Sequence, residues 1–250
     1  VDNGVKAHEA LVKARELGIE VIVTDHHIID EVVEANIVVH PDYMDPVFKG
    51  MCGAGVALQL ANKLIGIVPY LVALACVATI GDIMELWNEN RTIVRFGLAY
   101  LNQGVVPSVS ALVKKKVMNE VDISFSVVPK INAVARLNNI SNPNTLVPYF
   151  LNTHPITIEN MAKQIEGVNN ERKRLSSQMA TTAHKLVTED KFPLLYDTSF
   201  LEGMVGLVAG RLANELPKPV IVFSCEEGIM KGSGRSIPGI DLFEFFSDFE

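Results

Sequence analysis

The stretch Ile22-Val23-Thr24-Asp25-His26-His27-Ile28 decides the fold of this chain. Its first three residues are β-branched, which is typical of a buried β-strand. An aspartate and two adjacent histidines follow at the end of that strand. Because α/β enzymes usually bind their ligands at the carboxyl ends of parallel strands, the stretch predicts an α/β fold with a polar site at one edge of the sheet.

The residues before this stretch predict a further strand and a helix. Residues 1–5, Val-Asp-Asn-Gly-Val, are typical of a strand that ends in a sharp turn, and residues 6–17 carry apolar side chains at helical spacing. A strand, a helix and a strand in so short a span form a right-handed βαβ unit with parallel strands. We therefore expect Asp2 to lie at the same sheet edge as Asp25, His26 and His27.

The composition is typical of a cytoplasmic protein with one large or two modest domains. The 250 residues are 48% hydrophobic, and the net charge of −7 argues against indiscriminate coating of nucleic acid, so a polyanion would need a local basic groove. Three separated cysteines in apolar surroundings predict buried thiols in a reducing compartment. The most apolar stretch, residues 67–81, contains a proline and is shorter than the roughly twenty residues of a membrane span, so we expect no membrane association.

The spacing of apolar and turn residues divides the chain into predicted domains 1–105, 106–190 and 191–250. In the first we expect a helix over 6–17, strands over 19–24 and near 37–39, and helices over 54–65, 70–80 and 89–101. The second is a proline-rich connecting region followed by one long helix over about 157–187, which either bridges two domains or belongs to the core of the second. In the third we expect strands over 194–196, 220–224 and 229–236, with helices over 203–216 and from Asp241.

Ordered motifs along the chain resemble those of one enzyme superfamily. Residues 1–4 and 23–27 resemble motifs II and III of the DHH phosphoesterases, and residues 78–83, Ala-Thr-Ile-Gly-Asp-Ile, resemble motif IV. Segments 51–57, 131–137 and 231–236 are similar to those of the RecJ branch, the single-strand-specific DNA exonucleases. The Asp-x-Asp pair of motif I would lie upstream of Val1, so we expect the chain to be a fragment of a longer protein.

The resemblance implies a partial DHH domain with a parallel sheet, joined by the long helix to a smaller, partial DHH-associated domain of mixed α/β structure. In such a domain Asp2, His26 and Asp82 would bind metal, His27 would contact the scissile phosphate, and Asp25 would orient the histidines. The site would hold two ions, Mn²⁺ or Mg²⁺, and would be incomplete without motif I. Carboxylate and imidazole donors suit Mn²⁺ better than Ca²⁺.

The resemblance also assigns phosphate binding to Arg136, Ser233 and Arg235. In the RecJ branch the Ser-x-Arg element is associated with the 5′-terminal phosphate. We expect Gly232 and Gly234 beside it either to let a ligand approach the backbone closely or to form a bulge. The alternative for Arg136 is a solvated side chain without a role.

The implied function is 5′→3′ hydrolysis of single-stranded DNA in recombination and repair, with a helicase or a single-strand-binding protein as a further partner. The fragment itself is expected to be inactive or impaired. A second hypothesis is a DHH hydrolase of nanoRNA or cyclic dinucleotides, against which Arg235 argues because those relatives carry a glycine-rich motif ending in histidine. A third is a DNA-binding relative without catalytic activity.

Overall fold

The computed structural model describes residues 1–247, and these residues form two compact units. The first unit contains residues 1–129 and 149–162, and the second contains residues 130–148 together with the chain from residue 163 onward. The predicted connecting region, residues 106–190, therefore contributes to both units. Its assignment as a separate domain stays a prediction.

The first unit contains the predicted parallel sheet, reduced to two short strands. Strand β1 (Ile22–Thr24) pairs in parallel with β2 (Ile37–Val39), and Thr24 lies opposite Val39. Val5, Leu11, Val23 and Val33 form a buried cluster in this unit. The parallel pairing places the residues that follow both strands at one edge of the sheet, as expected.

The prediction of a parallel strand at the start of the chain is wrong. Asn3 forms only an isolated antiparallel bridge with Thr24, and the Asp2 backbone N–H donates to the Thr24 carbonyl over 2.7 Å. The φ angles of Asp2 and Gly4, 56° and 126°, interrupt the extended conformation that a strand requires. Asp2 nevertheless lies at the carboxyl end of β1, because this backbone hydrogen bond holds it there.

The four helices predicted before residue 105 begin and end within two residues of their predicted bounds. They are α1 (His8–Glu16), α2 (Gly53–Ile65), α3 (Pro69–Gly81) and α4 (Asn88–Asn102). Helix α3 is buried along much of its length, and α4 packs closely against it at Gly97, where a Cβ atom would lie 2.2 Å from the Cys76 Cβ. This close packing explains why a stretch as apolar as α3 is an interior helix.

The proline-rich region after α4 is more helical than expected. It contains α5 (Pro107–Val113), α6 (Glu120–Asp122), a π-helical turn (Ile123–Val127), α7 (Val128–Arg136), a 3₁₀ turn (Pro143–Thr145) and α8 (Leu146–Leu151). Pro107 and Pro143 are the first residues of their helices. Proline is accepted there because the first N–H groups of a helix have no partner within it, so these prolines start helices instead of marking loops.

The predicted long helix is confirmed as α9 (Pro155–Leu186), with 32 residues. At 1.5 Å per residue it is about 48 Å long. Its first residues belong to the first unit and the rest to the second.

The second unit contains the three predicted strands, and they form one sheet with mixed parallel and antiparallel pairing. Strands β3 (Leu194–Tyr196), β4 (Val220–Glu226) and β5 (Ile229–Arg235) lie in that order; β3 and β4 are parallel and β4 and β5 antiparallel. Helix α10 (Glu202–Glu215) connects β3 to β4, and its Met204, Val208 and Leu212 share a buried core with β4. Helix α11 (Leu242–Ser247) starts one residue after the predicted Asp241, and residues 248–250 lie outside the described residues.

Within residues 1–247, no single helix combines the length and apolar character that a membrane span needs. Helices α4 and α5 reach that length and composition only as a pair, and they are bent by 82° relative to each other.

Candidate metal centre

Asp25 is the buried residue that organises the turn after β1. Its carboxylate is 1% exposed, and Oδ1 accepts hydrogen bonds from the backbone N–H groups of His26 and His27 at 2.8 and 3.3 Å. Oδ1 also lies 2.7 Å from His27 Nδ1, and Oδ2 accepts from the Val5 N–H at 3.0 Å. Burial alone would raise the pKa of Asp25, but these hydrogen bonds outweigh it and lower the pKa to about 2. The charged carboxylate is thus fully occupied in orienting its neighbours.

His26 lies between two carboxylates that come from distant parts of the chain. Its Nε2 is 3.3 Å from Asp2 Oδ1 and 3.5 Å from Asp82 Oδ2, and its side chain is 15% exposed. Asp82 directly follows α3, while Asp2 is held by its backbone hydrogen bond to β1. Two ligand atoms bound at right angles about 2.1 Å from an ion lie about 3 Å apart. His26 therefore has the spacing and donor chemistry to share a divalent cation with Asp2 on one side and with Asp82 on the other.

His27 lies beside the same group with one ring nitrogen available. Its Nδ1 is engaged with Asp25, which leaves Nε2. Ligand atoms of Asp2, His26 and His27 all lie within 4.8 Å of one another, so His27 is also close enough to share an ion with them. The hydrogen bond to Asp25 raises the pKa of His27, the charges of Asp25, Asp2 and Asp82 add to this rise, and burial opposes it. The expected meeting of Asp2 with both histidines at this edge is confirmed, whereas the resemblance assigned His27 to a phosphate and not to an ion.

Gly53 makes room for the Asp2 carboxylate, a role that the sequence did not reveal. A Cβ atom on this first residue of α2 would lie 2.0 Å from Asp2 Oδ1. A Cβ atom on Gly55 would instead lie 2.9 Å from Met51 Cε. Of the two glycines, one permits a side chain of the candidate site to approach the helix and the other permits core packing.

Arg136, Ser233 and Arg235 line one cleft in the second unit. The cleft has a volume of about 530 Å³, and Lys231 and Glu202, which pair at 3.0 Å, also line it. Arg235 Nη1 donates to Ser233 Oγ at 3.1 Å and to the Gly234 carbonyl at 2.7 Å.

Arg136 occupies this cleft as a partly buried cation. Its Nη1 donates to the Gly203 carbonyl at 3.4 Å, so among residues 1–247 the guanidinium groups of Arg136 and Arg235 bond to neutral oxygens and not to a carboxylate. Burial lowers the pKa of Arg136, and the nearby charge of Arg235 lowers it further. Two arginines without an acidic partner favour a bound anion.

Gly232 lines the same cleft, and the expected close approach of a ligand to the backbone of Gly232 and Gly234 stays a prediction, while both glycines also permit packing on the other face of β5. A Cβ atom on Gly232 would lie 2.6 Å from the Phe223 ring, and one on Gly234 would lie 3.1 Å from a Leu242 methyl group. Because side chains alternate along a strand, these glycines face away from Ser233 and Arg235.

Gly206 of α10 permits the close approach of Ser233 and Arg235, since a Cβ atom there would lie 3.0 Å from Ser233 Oγ. A Cβ atom on Gly206 would be 3.3 Å from Arg235 Nη2, and one on Gly210 would be 3.8 Å from Arg235 Nε. In the sequence, the spacing of Gly203, Gly206 and Gly210 along one face of this helix could have indicated that another segment packs closely against it.

Comparison with known proteins finds similarity to the DHH family and to its RecJ proteins. The DHH family, N-terminal domain, matches residues 1–80. The single-stranded-DNA-specific exonuclease RecJ of Bacillus subtilis is 35% identical over 99% of this chain and 33% of its own length. RecJ of Escherichia coli is 29% identical over 97% of this chain and 47% of its own length. The chain thus spans about a third to a half of the curated relatives that it matches.

Solved structures agree with this relationship. RecJ from Thermus thermophilus in complex with Mn²⁺ superposes with a TM-score of 0.88 at 28% identity, covering 99% of this chain and 38% of that one. A manganese-bound exonuclease RecJ superposes with a TM-score of 0.82 at 29% identity, covering 99% of this chain and 64% of that one. By sequence and by fold, this chain is similar to RecJ proteins over nearly its whole length, and its residues 1–80 match the N-terminal domain of the DHH family.

Proposed function

We propose that this chain carries the metal-dependent phosphodiesterase centre of a RecJ-like exonuclease, which degrades single-stranded DNA in the 5′→3′ direction. The observation that carries the proposal is the position of His26 Nε2, 3.3 Å from Asp2 Oδ1 and 3.5 Å from Asp82 Oδ2. The names of the related proteins and the Mn²⁺ and Mg²⁺ complexes of related structures support the substrate class and the ions.

Each residue of the centre has a separate task in this proposal. Asp2, His26 and Asp82 would hold a divalent ion, which supplies an activated water and stabilises charge on the phosphoryl oxygens. His27 would contact the scissile phosphate beside that ion, since its ligand atom lies within 4.8 Å of those of Asp2 and His26. Asp25 would hold the His27 ring through Nδ1, so that Nε2 faces the substrate.

The cleft of the second unit supports binding of the DNA strand through phosphate. Arg136 and Arg235 present planar guanidinium groups, which match phosphate oxygens better than an ammonium does, and Ser233 adds a hydroxyl. A cleft of this kind provides the local positive charge that a chain with a net charge of −7 needs for a polyanionic substrate. We assign this cleft to the 5′-phosphorylated end.

The cellular setting belongs to the same proposal. Three free cysteines support a reducing compartment, the cytoplasm. The substrate would come from recombination and repair, with a helicase or a single-strand-binding protein as a partner. Hydrolysis of nanoRNA or cyclic dinucleotides is the alternative activity, and DNA binding without catalysis is the alternative class.

The test measures cleavage of a 5′-phosphorylated single strand in Mn²⁺ by this chain and by a form extended upstream of Val1. We expect mononucleotides released from the 5′ end by the extended form. His27→Ala should abolish this release without a loss of stability as large as that of a core deletion. His154→Ala, which changes an exposed histidine outside the site, should leave it unchanged. Cleavage of dinucleotides with DNA left intact, or binding of DNA without cleavage, would refute the proposal.

A further inference from the structure

We infer that His40 is a positioning residue of the candidate metal centre, which fixes the main chain of His27 and thereby the direction of its imidazole. His40 follows β2 directly, and β2 lies parallel to β1, so His40 is next to the turn that carries His26 and His27. The consequence of this positioning for catalysis rests on the proposed function, whereas the orientation of the His27 imidazole by His40 does not depend on it.

Both ring nitrogens of His40 make hydrogen bonds inside the first unit. The side chain is 2% exposed. Its Nε2 lies 2.9 Å from the His27 carbonyl oxygen, and its Nδ1 accepts from the Asp42 backbone N–H at 3.1 Å. A carbonyl only accepts and a backbone N–H only donates, so the proton of the neutral ring must be on Nε2. The two contacts thus select one tautomer and one ring orientation.

His27 needs such a restraint because packing alone does not hold it. Its side chain is 56% exposed. The Asp25 carboxylate binds its Nδ1 and its backbone N–H, while His40 binds its carbonyl, so the residue is held on both sides of its Cα atom. Without His40 the carbonyl would lose its buried donor and the peptide plane after His27 could rotate. The imidazole would then no longer be confined to one direction.

The experiment compares His40→Leu, His40→Gln and the wild-type chain. Leucine retains apolar packing but has no hydrogen-bonding atoms, whereas the glutamine amide can both donate and accept. Val33→Ala is the matched control, since Val33 is buried in the core of the first unit. For each protein we measure the ¹⁵N shifts of the histidine ring nitrogens by NMR in metal-free buffer, the free energy of unfolding, and the dissociation constant for Mn²⁺.

In His40→Leu the His27 signals should change from a single Nδ1-protonated form to a mixture, and Mn²⁺ affinity should fall about tenfold, the lower end for residues that orient metal ligands. His40→Gln should restore most of the wild-type His27 signals and most of the Mn²⁺ affinity. Val33→Ala should lose stability but keep wild-type His27 shifts. Wild-type His27 shifts and Mn²⁺ affinity in His40→Leu would refute the inference.

The wild-type spectrum gives a measurement that does not depend on whether the variants fold. His40 itself must show a protonated Nε2 and an unprotonated Nδ1, and the opposite tautomer would refute the inference. Failure of the proposed function has a different outcome. In that case the chain would bind no Mn²⁺, while His27 shifts would still depend on His40.

Discussion

Asp25 is the buried charge around which the turn after β1 is built. Its four hydrogen-bond contacts, to Val5, His26 and both the backbone and the ring of His27, come from groups that prefer the ionised carboxylate. The consequence is a pKa of about 2, well below the ordinary value of 3.8. Because the folded state favours the ionised carboxylate, ionisation of Asp25 should stabilise the fold.

Asp25→Asn tests this link. Because the folded-state pKa of Asp25 is lowered, its stabilisation is present above the ordinary pKa of 3.8 and is lost as the pH falls toward about 2. At pH 7 the variant should lose about 2 kcal/mol of unfolding free energy, from 1.36 kcal/mol per pKa unit. We measure the free energy of unfolding in urea between pH 7 and pH 2. The difference in this free energy between Asp25→Asn and the wild type should become smaller below pH 4. Asp45→Asn, at an exposed carboxylate, should show no such trend, and a gap for Asp25→Asn that stays constant down to pH 2 would contradict the prediction.

Arg235 permits a test of end recognition. In Arg235→Ala the preference for a 5′-phosphorylated strand over a 5′-hydroxyl strand should fall toward equal rates, since the planar donor in the cleft is lost. The measurement is the ratio of initial rates on the two strands for the extended form. Arg211→Ala, which removes a surface pair with Glu215 on the same helix, should leave the ratio unchanged. A wild-type ratio in Arg235→Ala would exclude this residue from end recognition.

At the scale of elements, the start of α2 determines where Asp2 can lie. Gly53 has no Cβ atom, and the Asp2 carboxylate occupies that space, so the N-terminal segment packs directly against a helix from a later part of the chain. This contact explains a glycine at the first residue of the helix, where Cys52 makes no side-chain cap. The position of the Asp2 carboxylate thus depends on a helix that carries no candidate ligand itself.

Gly53→Ala should weaken Mn²⁺ binding about tenfold, because a Cβ atom 2.0 Å from Asp2 Oδ1 forces the carboxylate away from His26. Isothermal titration with Mn²⁺ measures the change. Gly55→Ala is the control, since its Cβ atom meets the flexible end of Met51 and not Asp2. Equal Mn²⁺ affinity in the two variants would show that Gly53 does not position Asp2.

At the scale of the whole molecule, the candidate metal centre and the arginine cleft belong to different compact units. The residues that would bind metal connect the ends of β1 and α3 in the first unit. A ligand that binds only the folded state stabilises it by an amount set by its concentration relative to Kd. Metal binding should therefore appear as a gain in stability of the chain.

Mn²⁺ at about a hundred times its Kd should add about 2.7 kcal/mol to the unfolding free energy. Thermal unfolding with Mn²⁺, and again after chelation, measures this gain. His26→Ala should lose it, since Nε2 lies between both carboxylates. Arg235→Ala should retain it, because Arg235 lies in the other unit. If Mn²⁺ still stabilised His26→Ala by the same amount, the ion would bind outside the candidate metal centre.

Local patterns of residues were enough to predict the long helices and most strands, but not the shorter helices α5 to α8. The period of apolar residues is set within a few turns, so α2, α3, α4 and α9 lie within two residues of the expected bounds. The Asp-His-His triplet follows β1 directly, and parallel strands end at one edge. The place of His26 could therefore be expected from the sequence, whereas Asp82 came from the resemblance and Asp2 reaches His26 through a backbone hydrogen bond and not through the predicted parallel strand.

Only the tertiary structure decided which residues support that site. Gly53 faces Asp2, and His40 bonds to His27, although neither pair is close in sequence. The glycines of β5 pack against Phe223 and Leu242, while Gly206 of α10 permits the close approach of Ser233 and Arg235. Side-chain types and spacing determine which elements form and which donors are present, because those preferences act over a few residues. Hydrogen-bond partners and free space between elements depend on how distant segments pack, and that depends on the whole fold.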